Sequence, residues 1–215
     1  MKNTIYIVIL MLLPFVNIAQ DQDPVAKDIL HKLSAKTKEY TSIKATFVYS
    51  MENKKENISE SQKGVLLLKG EMYKLDISGQ EIISNGSTLW TFIKDADEVQ
   101  VSIPEYDEGT ISPSNIFTIY ESGFKYKFHK EETIDGVVQQ QINLYPEDAN
   151  EKSYHTIRLF VDKLKMEISS ICIMGKEGDD YIYTIEEFKS NISVSDSDFT
   201  FDSSKYPDVE VIDLR

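Results

Sequence analysis

The three histidines are the side chains best suited to proton transfer or metal binding near neutral pH. His31, His129 and His155 lie far apart in the sequence, and none belongs to an H-E-x-x-H or comparable ligand spacing. Hydrophobic periodicity places His31 on a helix and His129 on the polar face of a strand. We therefore expect solvated histidines and no metal site.

The paired carboxylates and the single thiol are the next candidates for chemistry. Asp179 and Asp180 follow a glycine in an expected hairpin loop, and Asp196 and Asp198 flank a serine. Both pairs lack the glycine and distal glutamate of a calcium loop, which predicts solvated turns. Cys172 lies between two isoleucines with no basic neighbour, which predicts a buried, unreactive thiol.

Sequence motifs of common enzyme classes are absent. The chain contains no G-x-S-x-G nucleophile elbow, no P-loop and no G-x-G-x-x-G fingerprint. The usual sequence markers of hydrolases, nucleotide-binding proteins and dinucleotide-binding proteins are therefore missing. The sequence predicts a protein that is not an enzyme and that needs no cofactor.

Length and composition indicate one folded domain. The chain has 215 residues, of which 41% are hydrophobic, and a net charge of −13. Nucleic acid and anionic lipid surfaces attract basic proteins, so this charge argues against both as partners. The aromatic content of 12 Tyr, 10 Phe and 1 Trp suits an apolar-ligand binder, and composition leads no further.

The first 19 residues have the pattern of a secretory signal peptide. Lys2 opens a positively charged region, an apolar run of residues 5–13 follows, and cleavage after Ala19 places a small residue at the cut. The run is shorter than the roughly 20 residues of a membrane-spanning helix. Because no cysteine follows it, we expect residues 20–215 to be exported without a lipid anchor.

The elements after the signal peptide are one helix and many strands. Asp23 and Pro24 mark a helix start, and apolar residues at helical spacing continue the helix to about Tyr40. Beyond it the period changes to two, which predicts antiparallel strands. The predicted strands are 43–51, 63–69, 72–78, 80–84, 87–94, 98–103, 124–130, 137–145, 154–161, 165–174 and 180–189.

Turns and apolar faces indicate how these strands are arranged. The Asn85-Gly86 pair predicts a hairpin with a type I′ turn. Residues 65–68 are apolar on both faces, so the sheet must curl to bury them, which predicts a curved sheet or half-barrel. A second helical patch at 112–121 either plugs the mouth of the curled sheet or forms an ordinary core-covering turn.

Several segments in a fixed order resemble the outer-membrane lipoprotein carrier protein (LolA) family. They are Gly64–Leu75, the "I-S-N-G-x-T-L-W" stretch within Ile82–Phe92, Ser112-Pro113, Phe199-Thr200-Phe201, and the tail Pro207–Asp213 with its V-x-V-I-D pattern. The resemblance covers essentially residues 20–215. It implies an unclosed half-barrel of about eleven antiparallel strands, mainly β with a helical lid, around an apolar cavity.

The resemblance also implies a function and partners. A periplasmic carrier of this family takes an acylated lipoprotein from an inner-membrane ABC transporter complex, shields its lipid, and passes it to an outer-membrane acceptor. The carrier works without covalent chemistry, and nothing in the sequence requires it to be more than a monomer. The positions that match the cavity lining are Phe47, Leu66, Tyr73, Leu75, Trp90, Phe92, Ile116 and Phe117. Each of them is equally compatible with plain core packing.

Lys69 departs from the family pattern. Carriers of this family have Arg-Pro at the turn where this chain has Lys69-Gly70, and the arginine holds the lid closed. Lysine keeps the charge and loses the planar five-donor fork. The resemblance therefore implies a lid latch at Lys69 that is looser than the usual one.

Three other functions remain open on the sequence. A domain of the same fold could sense lipids or lipoproteins, although a sensor normally carries a second domain. The same cavity could carry another amphiphile, such as a glycolipid. An exported hydrolase is the third alternative. Alanine scanning of the histidines and acidic pairs without loss of function would exclude it.

Overall fold

The computed structural model describes residues 22–105 and 111–215, so the expected signal peptide, residues 1–19, lies outside the described residues. Within these described residues one α-helix precedes twelve strands. In chain order the elements are α1 (Pro24–Thr37), β1 (Ile43–Asn53), β2 (Ile58–Lys69), β3 (Met72–Ile77), β4 (Gln80–Ser84), β5 (Leu89–Ile93), β6 (Glu98–Ser102), β7 (Phe124–Ile134), β8 (Val137–Pro146), β9 (Tyr154–Asp162), β10 (Glu167–Gly175), β11 (Asp179–Ser190) and β12 (Glu210–Asp213).

All twelve strands form one open sheet. Its order is β12-β6-β5-β4-β3-β2-β1-β11-β10-β9-β8-β7, and the two end strands are not paired with each other. Register shifts at Thr46/Phe47, Phe128/Lys130 and Ile168/Ser170 interrupt three of the antiparallel pairs. Such bulges bend strands and increase their twist. The mainly β, unclosed architecture expected from the sequence is confirmed.

The eleven strands β1–β11 are paired antiparallel, as expected, and a twelfth strand adds a parallel pair that was not expected. β12 pairs with β6 in parallel, with Val211 opposite Val99 and Asp213 opposite Val101. The chain between β11 and β12, residues 191–209, returns across the sheet and reaches β6 in the same direction as β6 itself. We call residues 191–209 the C-terminal segment.

Helix α1 begins as predicted and also protects one edge of the sheet. Asp23 Oδ1 accepts hydrogen bonds from the N–H groups of Val25 and Ala26 at 2.8 and 3.2 Å. Asp23 Oδ2 accepts from Phe128 N–H, and the N–H of Asp23 donates to the carbonyl of Tyr126. Backbone groups along the outer edge of β7 are thereby satisfied, which reduces the tendency of an edge strand to pair with another chain.

The Asn85-Gly86 hairpin connects the predicted strands, but its turn is not type I′. Only Gly86 has a positive φ, +90°, whereas a type I′ turn needs positive φ at both central residues. The loop spans four residues instead, because Asn85 Oδ1 accepts from the N–H groups of Ser87 and Thr88 at 3.0 and 2.8 Å.

The two faces of the sheet are covered by different parts of the chain. One face, called the inner face, carries α1 and residues 111–121, and the largest hydrophobic core lies between them and the strands. The other face, called the outer face, is crossed by the C-terminal segment, where Phe92 contacts Phe201 and Tyr206 at ring distances of 5.4 and 4.6 Å. Among the described residues no helix has the length and apolarity to cross a membrane.

Candidate functional site

An apolar cavity lies on the inner face of the sheet, and its volume is about 120 Å³. Its floor comes from adjacent strands whose register sets small and large apolar residues side by side: Ala45 of β1 is opposite Leu66 of β2, which is opposite Leu75 of β3. The residues that line it are Ala45, Phe47, Leu66, Leu75, Ile111, Ser112, Pro113, Ile116, Phe117, Ile171, Tyr183 and Ile185.

The described residues that line the cavity carry no carboxylate, amine, imidazole or thiol. Ser112 and Tyr183 supply the only side-chain hydroxyls among the described lining residues. Such a surface excludes water and offers few fixed polar groups, so it suits a flexible apolar ligand.

The roof of the cavity is the segment 111–121, which we call the cover. It is not the α-helix that the sequence pattern at 112–121 suggested. Its backbone bonds span three residues, from Asn115 N–H to Ser112, from Thr118 N–H to Asn115, and from Glu121 N–H to Thr118. Asn115 Oδ1 also accepts from Ser112 N–H at 2.9 Å, which closes the first turn.

The C-terminal end of the cover is bonded to helix α1. The carboxylate of Glu121 accepts a hydrogen bond from Ser34 and forms an ion pair with Lys38 at 3.2 Å. Tyr120 beside it is buried, and burial raises the pKa of its phenol to about 12. Tyr120 and Glu121 therefore fix this end of the cover to the last turns of α1.

The cover packs on the sheet through aromatic contacts. The ring of Phe117 meets that of Phe188 on β11 edge-on, with centroids 5.5 Å apart and an interplanar angle of 82°. Phe117 is 5% exposed, whereas Ile116 next to it is half-buried. The cover is thus held by packing and by a few polar contacts, and not by strand pairing.

The structure brings together five of the eight residues proposed from the sequence for the cavity. Phe47, Leu66, Leu75, Ile116 and Phe117 line it. Tyr73 belongs to the same hydrophobic core but lies outside the lining.

Trp90 and Phe92 are not among the residues that line this cavity. Strand register places Trp90 opposite Ile83 and Phe92 opposite Glu81. The neighbouring residue Ile82 is opposite Leu75, which lines the cavity, so Ile83 and Glu81 point to the other face. Trp90 and Phe92 therefore lie on the outer face. Phe92 packs instead against the C-terminal segment.

Lys69, the expected lid latch, contacts the C-terminal segment and not the cover. Its ammonium group donates to Asp196 Oδ1 at 2.6 Å, in the C-terminal segment. On β2 it alternates with Leu66 and Leu68, so it points to the outer face, away from the cover.

The contributions of β10, β11 and the start of the cover to the cavity were not predicted from the sequence. Ile171, Tyr183 and Ile185 come from strands that were predicted, so their alternation was the available signal, but no motif marked them. Among the described residues no group of three or more His, Cys, Asp or Glu side chains is placed to hold a metal ion. Cys172 is buried, and burial raises the pKa of its thiol to about 11.

Comparison with solved structures identifies the fold. An uncharacterized conserved protein from Thermus thermophilus aligns with a TM-score of 0.58 at 10% identity, over 88% of this chain and 99% of that one. The lipoprotein LppX of Mycobacterium tuberculosis aligns at 0.51 and 12% identity, over 81% and 100%. LprF from Mycobacterium bovis aligns at 0.51 and 14% identity, over 81% and 97%.

Comparison of sequences identifies the family. A search among curated proteins gave no match. The family model described as outer membrane lipoprotein carrier protein LolA matches residues 38–202, which include every described strand except β12 and all the strands that form the cavity floor. The chain belongs to the LolA family of outer membrane lipoprotein carrier proteins.

Proposed function

We propose that this protein is an exported carrier that binds the acyl chains of lipoproteins in the cavity under the cover and shuttles them through the periplasm. In this proposal the donor is an inner-membrane ABC transporter complex and the acceptor lies at the outer membrane. The single observation that supports it best is a cavity whose described lining holds no carboxylate, amine, imidazole or thiol, roofed by a segment that is separate from the sheet.

The size of the cavity requires the cover to move. A cavity of about 150 Å³ holds one benzene molecule, so the 120 Å³ present here accommodates only part of an acyl chain. Bound chains must therefore displace Ile116 and Phe117 from the floor. This displacement breaks the packing of the cover on the sheet, and the free energy of that packing opposes binding. The packing forms again when the ligand is released.

This opposition is useful for a carrier. Burying an acyl chain yields about 0.8 kcal/mol per methylene, which would hold a long chain too tightly for transfer. A cover that must open reduces the net affinity by the free energy of opening. The cover then allows one cavity both to shield a lipid and to yield it to an acceptor.

A lipoprotein release assay tests the proposal. Purified residues 20–215 are added to spheroplasts that carry radiolabelled mature lipoproteins, and the supernatant is analysed for a one-to-one complex. We expect labelled lipoprotein in that complex, and we expect Phe117→Asp to abolish it. Leu164→Asp is the matched control, because Leu164 is 94% exposed and remote from the cavity lining.

A second candidate is a carrier of another amphiphile, such as a glycolipid. The cavity favours it equally in one respect: its wall has too few polar groups to select a headgroup. Mass spectrometry of lipids that copurify with the protein separates the two. Free lipid in the cavity, together with no release of lipoprotein, would overturn the lipoprotein assignment in favour of this one.

A further inference from the structure

We propose that an acyl chain leaves the cavity along a row of three tyrosines, Tyr183, Tyr49 and Tyr181, and that their hydroxyls bind the ester or amide carbonyl at its polar end. This inference rests on the proposed function. It defines the ligand class as long acyl chains joined to their headgroup through a carbonyl, as opposed to short chains or ethers.

Ring contacts connect the row to the cavity without a break. Phe47 and Tyr183 both line the cavity, and their rings are 6.0 Å apart. Tyr183 contacts Tyr49 at 5.2 Å, and Tyr49 stacks on Tyr181 at 6.4 Å with an interplanar angle of 11°. The row is thus a continuous aromatic surface that begins at the cavity wall.

Strand register explains why these rings share one face. Phe47, Tyr49 and Met51 alternate along β1, and β11 places Tyr183 opposite Tyr49 and Tyr181 opposite Met51. The five residues from Phe47 to Met51 extend about 13 Å along the strand, which is four steps of about 3.3 Å. A chain too long for the cavity therefore has an apolar track of that length to follow.

Burial changes along the track. Phe47 is 5% exposed, whereas Tyr49, Tyr181 and Tyr183 are all half-buried. Half-buried aromatic rings next to a cavity keep apolar area that a ligand can still cover. Ordinary core packing would have covered these rings with other side chains of the chain.

The hydroxyls of the three tyrosines supply the polar end of the site. None of them is hydrogen-bonded to another residue in the described part of the chain. Burial, and then the neighbouring phenols, raise the pKa of Tyr49 and of Tyr183. Both hydroxyls therefore stay protonated at physiological pH and are available to donate to a carbonyl oxygen.

Equilibrium dialysis with three radiolabelled probes tests the inference on the purified protein. The probes are monopalmitoylglycerol, monooctanoylglycerol, and 1-O-hexadecylglycerol, an ether that lacks the carbonyl. We expect the protein to bind the palmitoyl ester at least tenfold more tightly than the octanoyl ester, and several-fold more tightly than the ether.

Two double variants separate rings from hydroxyls. Tyr49→Phe with Tyr181→Phe keeps the rings, so we expect the preference for ester over ether to fall below twofold while the preference for the long chain remains. Tyr49→Ser with Tyr181→Ser removes the rings, so we expect the long-chain preference to be lost. Tyr145→Phe, on the outer face, is the control for loss of a phenol, and circular dichroism checks folding.

The possible results have distinct meanings. Binding of none of the probes by the unmodified protein would count against the proposed function itself. Binding of palmitoyl ester and ether with equal affinity would overturn the role of the hydroxyls. An ester preference that survives the phenylalanine variant would overturn the role of the Tyr49 and Tyr181 hydroxyls. Unchanged long-chain affinity in the serine variant would overturn the track.

Discussion

The ring of Phe47 lies over Gly64, which faces it across the β1–β2 pair. A methyl group at position 64 would be only 2.5 Å from Cζ of Phe47 and 3.0 Å from both neighbouring ring carbons. Glycine is thus required here by the close approach of an aromatic ring. Because Phe47 lines the cavity, the absence of a side chain at Gly64 sets how much of the cavity the ring leaves empty.

We expect Gly64→Ala to push the Phe47 ring into the cavity. The overpacking should lower the free energy of unfolding by about 1–3 kcal/mol, and affinity for a fluorescent fatty acid should fall about tenfold. Fluorescence titration and urea denaturation measure the two effects. Phe47→Leu in the same chain should restore binding, because leucine leaves room for the added methyl, and failure of this rescue would contradict the steric explanation.

We expect Glu121→Ala to loosen the cover without greatly changing overall stability. The bonds of Glu121 to Ser34 and Lys38 lie near the surface, and such ion pairs contribute about 0.2–1 kcal/mol. Release of a bound fatty acid should nevertheless become several-fold faster in stopped-flow measurements, and residues 111–121 should exchange amide hydrogens faster.

Asp28→Ala is the matched control for that variant. Asp28 pairs with Lys32 on α1 at 2.7 Å, and both side chains are well exposed. It removes one helix ion pair without touching the cover. Equal effects of the two substitutions on the release rate would show that the ion pairs act only on the helix.

The sequence predicted the strands well because alternation is a local signal. Strand β12 was not predicted. Its four residues form a strand because they pair in parallel with the edge of β6, and that pairing is not visible in the local sequence. The sequence pattern described 112–121 as helical, because Ser112-Pro113 resembles a helix start. The structure has a tighter turn there, in which Asn115 Oδ1 accepts from the N–H of Ser112.

The cavity residues were harder to predict, because alternation separates two faces without saying which one is inner. Strand β5 has apolar residues on both faces, so the apolar Trp90 and Phe92 suited the cavity as well as they suit the outer face. The partner of Lys69 is Asp196, 127 residues away in the chain. Only the tertiary fold brings these two residues together.

We expect stability to fall at alkaline pH. Burial raises the pKa of Cys172 from 9.0 to about 11 and that of Tyr120 from 10.0 to about 12. Above about pH 9 the unfolded chain therefore loses protons that the folded chain retains, so the free energy of unfolding decreases until the folded groups ionise as well. Denaturation curves recorded from pH 7 to pH 11 measure this decrease.

Two variants assign the alkaline effect to these groups. Cys172→Ala should flatten the dependence between pH 9 and 11, and Tyr120→Phe should flatten it above pH 10. Unmodified Cys172 should also resist alkylation at pH 8 until the protein is unfolded. Rapid alkylation of the folded protein would show that the thiol is accessible and not buried.

The two faces of the sheet should be separable by mutation. Phe92 is 3% exposed and packs against Phe201 and Tyr206, whose rings stack 5.4 Å apart at 12°. Phe92→Ala should therefore cost about 3–5 kcal/mol of stability and should release the C-terminal segment, seen as faster hydrogen exchange over 191–209.

Leu75→Ala should instead enlarge the cavity and change fatty-acid affinity. Because Phe92 faces away from the cavity, folded Phe92→Ala should bind fatty acid as well as the unmodified protein, and a large loss of affinity would show that the C-terminal segment also controls the cavity.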